Sequence, residues 1–369
     1  MTAERLRFGI IGAAGRGSSF VRTLQVHPAT RIAALCDVRQ EAVRAGAAEL
    51  GVEHVFTDAG AMLDSGLVDA VVIGTPMQFH APQAIMALER GIHVLCEVTA
   101  GVSVEECRDL VRAARRSTAR YMMAENYTYM RANVLVGELV RRGLFGQVYY
   151  AEGAYIHELK GLNEQTPWRR RWQTGVNGCT YPTHSLGPVL RWLEGERVVA
   201  VCAMGTGHHY ADPRRRAYEM EDSVTMMCRL TCGALVQIRV DMLSNRPHNM
   251  VHYALQGTEG CYEGTDGFQG APKVWLKSRS EAHQWEPLEA LEEFLPDFWR
   301  NPPQEAVRAG HGGGDYWEVQ DFVSAIREER EPPIGIDLAM DMTLPGLASE
   351  ESLAQGSTWV AVPDPRNWT

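Results

Sequence analysis

The sequence has no run approaching 18 apolar residues, so no transmembrane helix is expected. It lacks any excess of positive charge: 36 Lys and Arg against 46 Asp and Glu leave a formal charge of -10, which disfavours nucleic acid and anionic membranes as partners. Its basic runs, Arg169-Arg170-Arg171 and Arg214-Arg215-Arg216, are short enough to be a solvated face or an exposed loop, with a local basic site for an anionic cofactor still open. The opening stretch MTAERLRFGIIG passes from a few polar residues straight into a strand without the apolar segment of a signal peptide, and a soluble, cytoplasmic protein is expected. Internal repeats and low-complexity linkers are missing too. With 45% hydrophobic and 22% charged residues there is no composition for disorder, and 369 residues suffice for two domains with their own cores. The 8 cysteines are scattered, most of them inside apolar runs. Cys228 and Cys232 are expected to share one face of a strand, but no His or Cys pair at ligand spacing completes a site, so no metal is expected and the thiols read as buried and free. His208-His209 is no better, because neighbours on a strand point to opposite faces.

What is present begins with LRFGII, Leu6 to Ile11, a short apolar run followed by Gly12-Ala13-Ala14-Gly15-Arg16-Gly17 and the helical pattern SSFVRTLQ. Strand, glycine turn and helix in this order make a cradle for a dinucleotide, with Gly12, Ala14, Gly15, Arg16 and Gly17 around the pyrophosphate. Ala14 replaces the second glycine of the usual pattern and crowds that group slightly. The next apolar run, RIAALCD, ends at Asp37, where an acid accepts hydrogen bonds from the adenosine ribose and selects NAD over NADP. Further buried strands end at Thr75-Pro76 and at Glu97, and amphipathic helices APQAIMALERG and EECRDLVRAARRS intervene. The alternation predicts a doubly wound parallel α/β sheet whose ligand lies beyond the carboxyl ends of the strands, near Thr75, Pro76, His80 and Glu97. His80 has two readings, a cofactor contact or a packing residue. A last strand closes this domain at Glu125-Asn126, giving an NAD-binding Rossmann domain over 1–126 with Asn126 at the cofactor.

Over 127–369 the pattern changes to a substrate-binding α+β domain. After the helix RANVLVGELVRRG come long runs of period two, QVYYAEGAYIHE, RVVAVCAMGTG, DSVTMMCRLTCGALVQIRVDML and MVHYALQGTEGCYEG, separated by Gly-rich turns. They predict a large, open, mainly antiparallel sheet with one face under helices and the other free to hold a ligand. An exposed sheet face commonly finds a twin, which makes a homo-oligomer an open expectation. EVQDFVSAIREERE is a late amphipathic helix stopped by Pro332-Pro333.

GIIGAAGRG, TPMQFH and CEV in this order resemble the Gfo/Idh/MocA family of NAD(P)-dependent sugar oxidoreductases over essentially the whole chain. The chain departs from that family's dehydrogenases at two places. Where they carry Glu-Lys-Pro it reads Glu97-Val98-Thr99, and where they carry Asp-x-x-x-His it has Thr180 four residues before His184. EGAYIHEL, GLN, a Trp followed by arginines, YPTHSLGP and HGGGD are similar, in order, to the NAD-dependent glycosidases of glycoside hydrolase family 109, typified by α-N-acetylgalactosaminidases. Ser185 stands where glycine is common and Gly314 where methionine is common. This resemblance implies catalytic roles for Tyr181, His184 and Tyr155, and a substrate contact for Glu125. It also implies a reaction by transient oxidation at sugar carbon 3, elimination from carbon 1, water addition and re-reduction, with a tightly held NAD.

Such chemistry needs tunable acid-base groups, a histidine and tyrosines, rather than the flanking carboxylate pair of ordinary glycosidases. Tyr181 and His184, three residues apart, face one pocket if the chain turns at Pro182. Trp168 and Arg169 read either as a sugar rim, Trp stacking on a pyranose and Arg donating to hydroxyls, or as a structural stack. His311, on the glycine-rich HGGGD loop that ends at Asp315, is a candidate to close over the ligand. The expected partner is a small carbohydrate or glycoside. A net NAD-dependent sugar dehydrogenase, with Tyr181 or His184 deprotonating the oxidised hydroxyl, is the alternative, and a non-catalytic sugar or cofactor sensor is the third reading. Asp37 should make NAD bind better than NADP, and Asp37→Ala should narrow the gap by about 1–3 kcal/mol. Titrating both dinucleotides against both proteins checks this, and equal affinity of the unmodified protein for the two would refute it.

Overall fold

The computed structural model describes residues 5–214, 218–246, 250–265 and 270–369; Arg215 and Arg216 of the second basic run lie outside the described residues. The chain forms two compact units, Met1–Asn126 with Pro303–Met340 and Pro365–Thr369, and Tyr127–Pro302 with Asp341–Asp364.

The first unit is built on strands Leu6–Ile11 (β1), Thr30–Cys36 (β2), His54–Phe56 (β3), Ala70–Ile73 (β4), His93–Cys96 (β5) and Tyr121–Met123 (β6). They form one parallel sheet in the order β3-β2-β1-β4-β5-β6. The runs LRFGII and AVVI are apolar without alternation because both faces of such a sheet are covered: Phe8 and Ile10, and all four residues of β4, are buried.

The chain leaves this unit at Asn126, but 127–369 does not form one uninterrupted second domain. The late helix, Gly314–Arg327, buries Val319, Phe322 and Val323, and the Phe322 ring meets Phe8 of β1 edge-on at 6.2 Å. An apolar helix stripe records that a face is covered, not which sheet covers it, so the return to the first sheet is invisible in the periodicity.

The second unit carries Val148–Ile156 (β7), Val198–Gly205 (β8), Ser223–Leu230 (β9), Leu235–Asp241 (β10), Met250–Gly257 (β11), Gly260–Glu263 (β12), Lys273–Leu276 (β13), Glu286–Pro287 (β14) and Val360–Ala361 (β15). Their order is β14-β13-β12-β11-β7-β10-β9-β8-β15, with β7 and β10 parallel and the other pairs antiparallel. On β7 the alternation puts Ala151, Gly153 and Tyr155 on the buried face and leaves Tyr150 and Glu152 half-buried on the other. The helix Thr183–Trp192 lies directly on β7, and at its far end Trp192 Nε1 donates to Asn133 O of the helix Arg131–Arg141 at 2.8 Å. Two local expectations are corrected. Cys232 is exposed in the turn after β9, not on the strand with Cys228, because Thr231-Cys232-Gly233 makes the tight reversal into β10. His208 and His209 lie in the loop after β8, where His209 Nδ1 sits 2.8 Å from Asp222 Oδ2. Among the described residues no helix is long and apolar enough to cross a membrane.

One buried group is out of keeping with this packing. Glu318, on the helix Gly314–Arg327, is fully buried, and no described residue hydrogen-bonds either of its carboxyl oxygens. Burial, with the charges of Asp315 and Glu97 nearby, pushes its carboxyl well above the usual range, so it is carried as the neutral acid. A folded-state pKa raised above the unfolded value contributes stability that is complete below about 4.5 and lost as pH rises toward the folded value. The unfolding free energy of Glu318→Gln should therefore gain on that of the unmodified protein as pH is raised from acidic to neutral, at up to about 1.4 kcal/mol per pH unit. Unfolding curves across that range check this; parallel pH dependences would show that the carboxyl does not titrate with folding.

Candidate functional site

In the first unit the turn after β1 is seated on the end of β4 by backbone alone. Gly12 has φ +83°, and a Cβ there would lie 2.6 Å from Gly74 O; one on Gly74 would lie 2.4 Å from Gly17 N. The turn thus sits backbone to backbone on the end of β4, and Ala14 brings only a methyl group into it. Ala14 N donates to Asp37 Oδ2 at 2.9 Å, and the Arg39 backbone N–H and Nε donate to Asp37 Oδ1, each at 3.0 Å. Burial alone would raise the Asp37 carboxyl, but the hydrogen bonds from Arg39 and Ala14 hold it below the usual range. A buried, ionised acid at the end of β2 beside a glycine turn fits the adenosine end of NAD.

Arg16, Glu97 and Asn126 come together although they follow three different strands. Arg16 Nε donates to Glu97 Oε1 at 2.6 Å and Nη2 to Asp315 Oδ1 at 3.2 Å, and Asn126 Nδ2 donates to the same Asp315 oxygen at 2.8 Å. His311 is not in a substrate-binding domain over 127–369 but in this unit, with Nδ1 3.0 Å from Asp315 Oδ1, because the HGGGD turn starts the helix that returns to the first sheet. Thr75 Oγ1 donates to Gln83 Oε1 at 2.8 Å, and Pro76 leads into the turn Met77–Phe79. His80 Nδ1 lies 2.8 Å from Thr99 O and Nε2 2.9 Å from Thr75 O, so the ring is held between two backbone carbonyls. Burial pushes this imidazole below its ordinary value. Glu125 is fully buried at the end of the same unit's last strand.

The second unit gathers aromatic and imidazole rings. Pro182 is the N-cap of the helix Thr183–Trp192, and its carbonyl accepts from Leu186 N at 2.8 Å, which turns Tyr181 and His184 toward each other with ring centroids 5.1 Å apart. Tyr155 of β7 completes the group, 5.5 Å from Tyr181 and 5.2 Å from His184. Thr180, where the dehydrogenase pattern has its histidine-orienting Asp, is buried, and its hydroxyl meets no described hydrogen-bond partner. Tyr127 lies 4.1 Å from His184 between ring centroids, and the Tyr253 hydroxyl donates to the His184 carbonyl. Tyr155 Oη is 2.8 Å from His157 Nδ1. His157 was legible as a partner, since residues two apart on a strand share a face; Tyr127 and Tyr253, distant in sequence, were not. Trp168 and Arg169 form a stack, the guanidinium carbon 4.5 Å from the ring centroid, and Arg169 Nη1 also donates to Gln173 Oε1 at 2.9 Å.

Comparison with known proteins agrees with both halves. Residues 6–125 match the oxidoreductase family with an NAD-binding Rossmann fold, and residues 129–368 match the C-terminal domain of glycosyl hydrolase 109. A glycosyl hydrolase family 109 protein of Saccharopolyspora erythraea is 30% identical over 98% of this chain and 83% of that protein. An α-N-acetylgalactosaminidase of Shewanella oneidensis is 29% identical over 98% of this chain and 85% of that protein. In fold, the chain is similar to levoglucosan dehydrogenase in complex with NADH and levoglucosan, with a TM-score of 0.81 and 23% identity over 98% of this chain and 100% of the other. It is likewise similar to myo-inositol 2-dehydrogenase of Lactobacillus plantarum, with a TM-score of 0.76 and 18% identity over 98% of this chain and 100% of the other. The chain therefore belongs to glycosyl hydrolase family 109, with an NAD-binding Rossmann fold as its first unit.

Proposed function

We propose that the protein is a glycosidase without net oxidation, acting on α-N-acetylgalactosaminides or related hexosides. The observation that carries the reading is the grouping of Tyr155, Tyr181 and His184 within 5.5 Å between ring centroids, a set of phenols and an imidazole rather than a pair of carboxylates. The name of the Shewanella relative supports the choice of sugar. When bound, NAD supplies a reversible oxidation at sugar carbon 3. The chain's own groups then serve proton transfers. One takes the proton of the carbon 3 hydroxyl as that carbon becomes a ketone. The ketone acidifies the hydrogen on carbon 2, because the charge left there spreads into an enolate, and a base removes it as the aglycone leaves carbon 1. Water adds to carbon 1 of the unsaturated ketone and carbon 2 regains a proton, so hydrolysis is complete once the ketone is reduced. Tyr155, Tyr181 and His184 are the groups assigned to these transfers, with His157 tuning the Tyr155 hydroxyl through their hydrogen bond. Glu125 is assigned to the substrate. The competing reading, a net sugar dehydrogenase, uses the same rings but needs only the first proton transfer.

Nitrophenyl glycosides assayed without added NAD separate the two: phenol release without accumulating reduced cofactor is expected, whereas accumulation with a free sugar would favour the dehydrogenase. Hydrolysis in heavy water should place deuterium at carbon 2 and leave carbon 3 with its own hydrogen; retention of the original carbon 2 hydrogen would overturn the elimination route. His184→Ala and Tyr181→Phe should each lower turnover about a hundredfold or more while NAD still binds. Full activity in both would remove the two residues from the chemistry.

A further inference from the structure

Asp315 is the point at which the residues assigned to the cofactor are tied together. It lies 299 residues after Arg16 in the chain, is 3% exposed, and accepts from Arg16 at both carboxylate oxygens and from Asn126 at Oδ1, with His311 Nδ1 3.0 Å from Oδ1. Through Arg16 it is also joined to Glu97. Burial would push the Asp315 carboxyl up, but the hydrogen bond from His311 and the charge of Arg16 hold it well below the usual carboxylate range. Arg16 in turn, in spite of burial, is held firmly as a cation by Glu97 and Asp315. A long arginine left to solvent loses rotamer freedom when it binds a ligand; one already fixed between two carboxylates has lost it beforehand.

The glycines of HGGGD serve this arrangement. A Cβ on Gly314 would lie 2.3 Å from Asn126 O, so the turn rests flush on the backbone at the end of the last strand. A Cβ on Gly310 would lie 2.4 Å from Asp315 Oδ2. His311 itself has φ 51°, a left-handed conformation that costs a non-glycine residue energy and places its ring over Asp315 and Asn126, with Nδ1 3.1 Å from Asn126 Nδ2. The HGGGD turn thus brings the Asp315 carboxylate to Arg16, which follows the first strand, and to Asn126, which follows the last.

We propose that Asp315, braced by His311, is a positioning residue for the NAD site: it holds Arg16, Asn126 and, through Arg16, Glu97 in the arrangement that retains the dinucleotide. The adenosine end, governed by Asp37, is independent of it. This goes beyond the glycosidase reading and does not rest on it, since binding is measured without substrate. The test compares NAD and AMP affinities, by titration, in the unmodified protein, Asp315→Asn and His311→Ala, with the NAD dissociation rate followed by rapid dilution. Asp315→Asn should weaken NAD about tenfold or more and speed its release, the size expected for losing hydrogen bonds to a charged group. His311→Ala, which leaves the carboxylate in place, should weaken it less. AMP affinity and the preference for NAD over NADP should stay unchanged in both. Wild-type NAD affinity in the two variants would overturn the proposal, as would equal losses for NAD and AMP, which would mark a merely structural role. Should Asp315→Asn fail to fold, His311→Ala alone decides between these outcomes.

Discussion

Contact of backbone with backbone, at places where a Cβ is missing, is the constraint from which the rest of the site follows. At Gly153 a Cβ would lie 2.1 Å from Ser185 O, so the helix Thr183–Trp192 can settle on β7 only over a glycine. That seat is one residue from His184 and two from Tyr155. It sets the distance between the strand that supplies Tyr155 and the helix start that supplies Tyr181 and His184, and Tyr253 reinforces it by donating to the His184 carbonyl. The Gly17 and Gly74 pair does the same for the dinucleotide turn and β4. In both units a side chain at the contact would lift one element off the other and separate the functional groups.

The two units gather chemically different groups. The first is ionic: Arg16, Glu97 and Asp315 form a closed set of charge-assisted hydrogen bonds, with the neutral Glu318 on the same helix as Asp315. The second is made of phenols and imidazoles in ring contact. An ordered ionic network suits retention of a charged cofactor, because its dipoles are already oriented before the ligand arrives. Rings with ionisable hydroxyl and nitrogen atoms suit successive proton transfers in both directions.

The fold is shared with sugar and polyol dehydrogenases at 23% identity or less, a likeness that speaks for architecture alone. What separates this chain from the dehydrogenase pattern is local. Glu97 is followed by Val98 and Thr99 instead of a lysine and a proline, and Thr180 occupies the place of the histidine-orienting carboxylate. The rings of Tyr127, Tyr155 and Tyr181 pack around His184.

By itself the sequence determined the two architectures, because buried parallel strands require unbroken apolar runs and half-covered antiparallel ones require alternation; LRFGII and SVTMMCRL carry those demands in plain view. It also determined the glycine turn, with Asp37 at the end of the following strand, and the Tyr181 and His184 pair, whose spacing and intervening Pro182 are local facts. Tertiary structure alone decided the rest. His311 and Asp315 joined the cofactor unit because the helix behind them buries Phe322 against Phe8, a pairing of apolar surfaces that no periodicity encodes. The ring nitrogens of His80 lie beside the backbone carbonyls of Thr99 and Thr75, and backbone carbonyls have no signature in sequence. Tyr127 and Tyr253 reached His184 from elements far away in the chain, since side-chain contacts at long range depend on how sheet and helix are stacked, and that stacking exists only once the chain is folded.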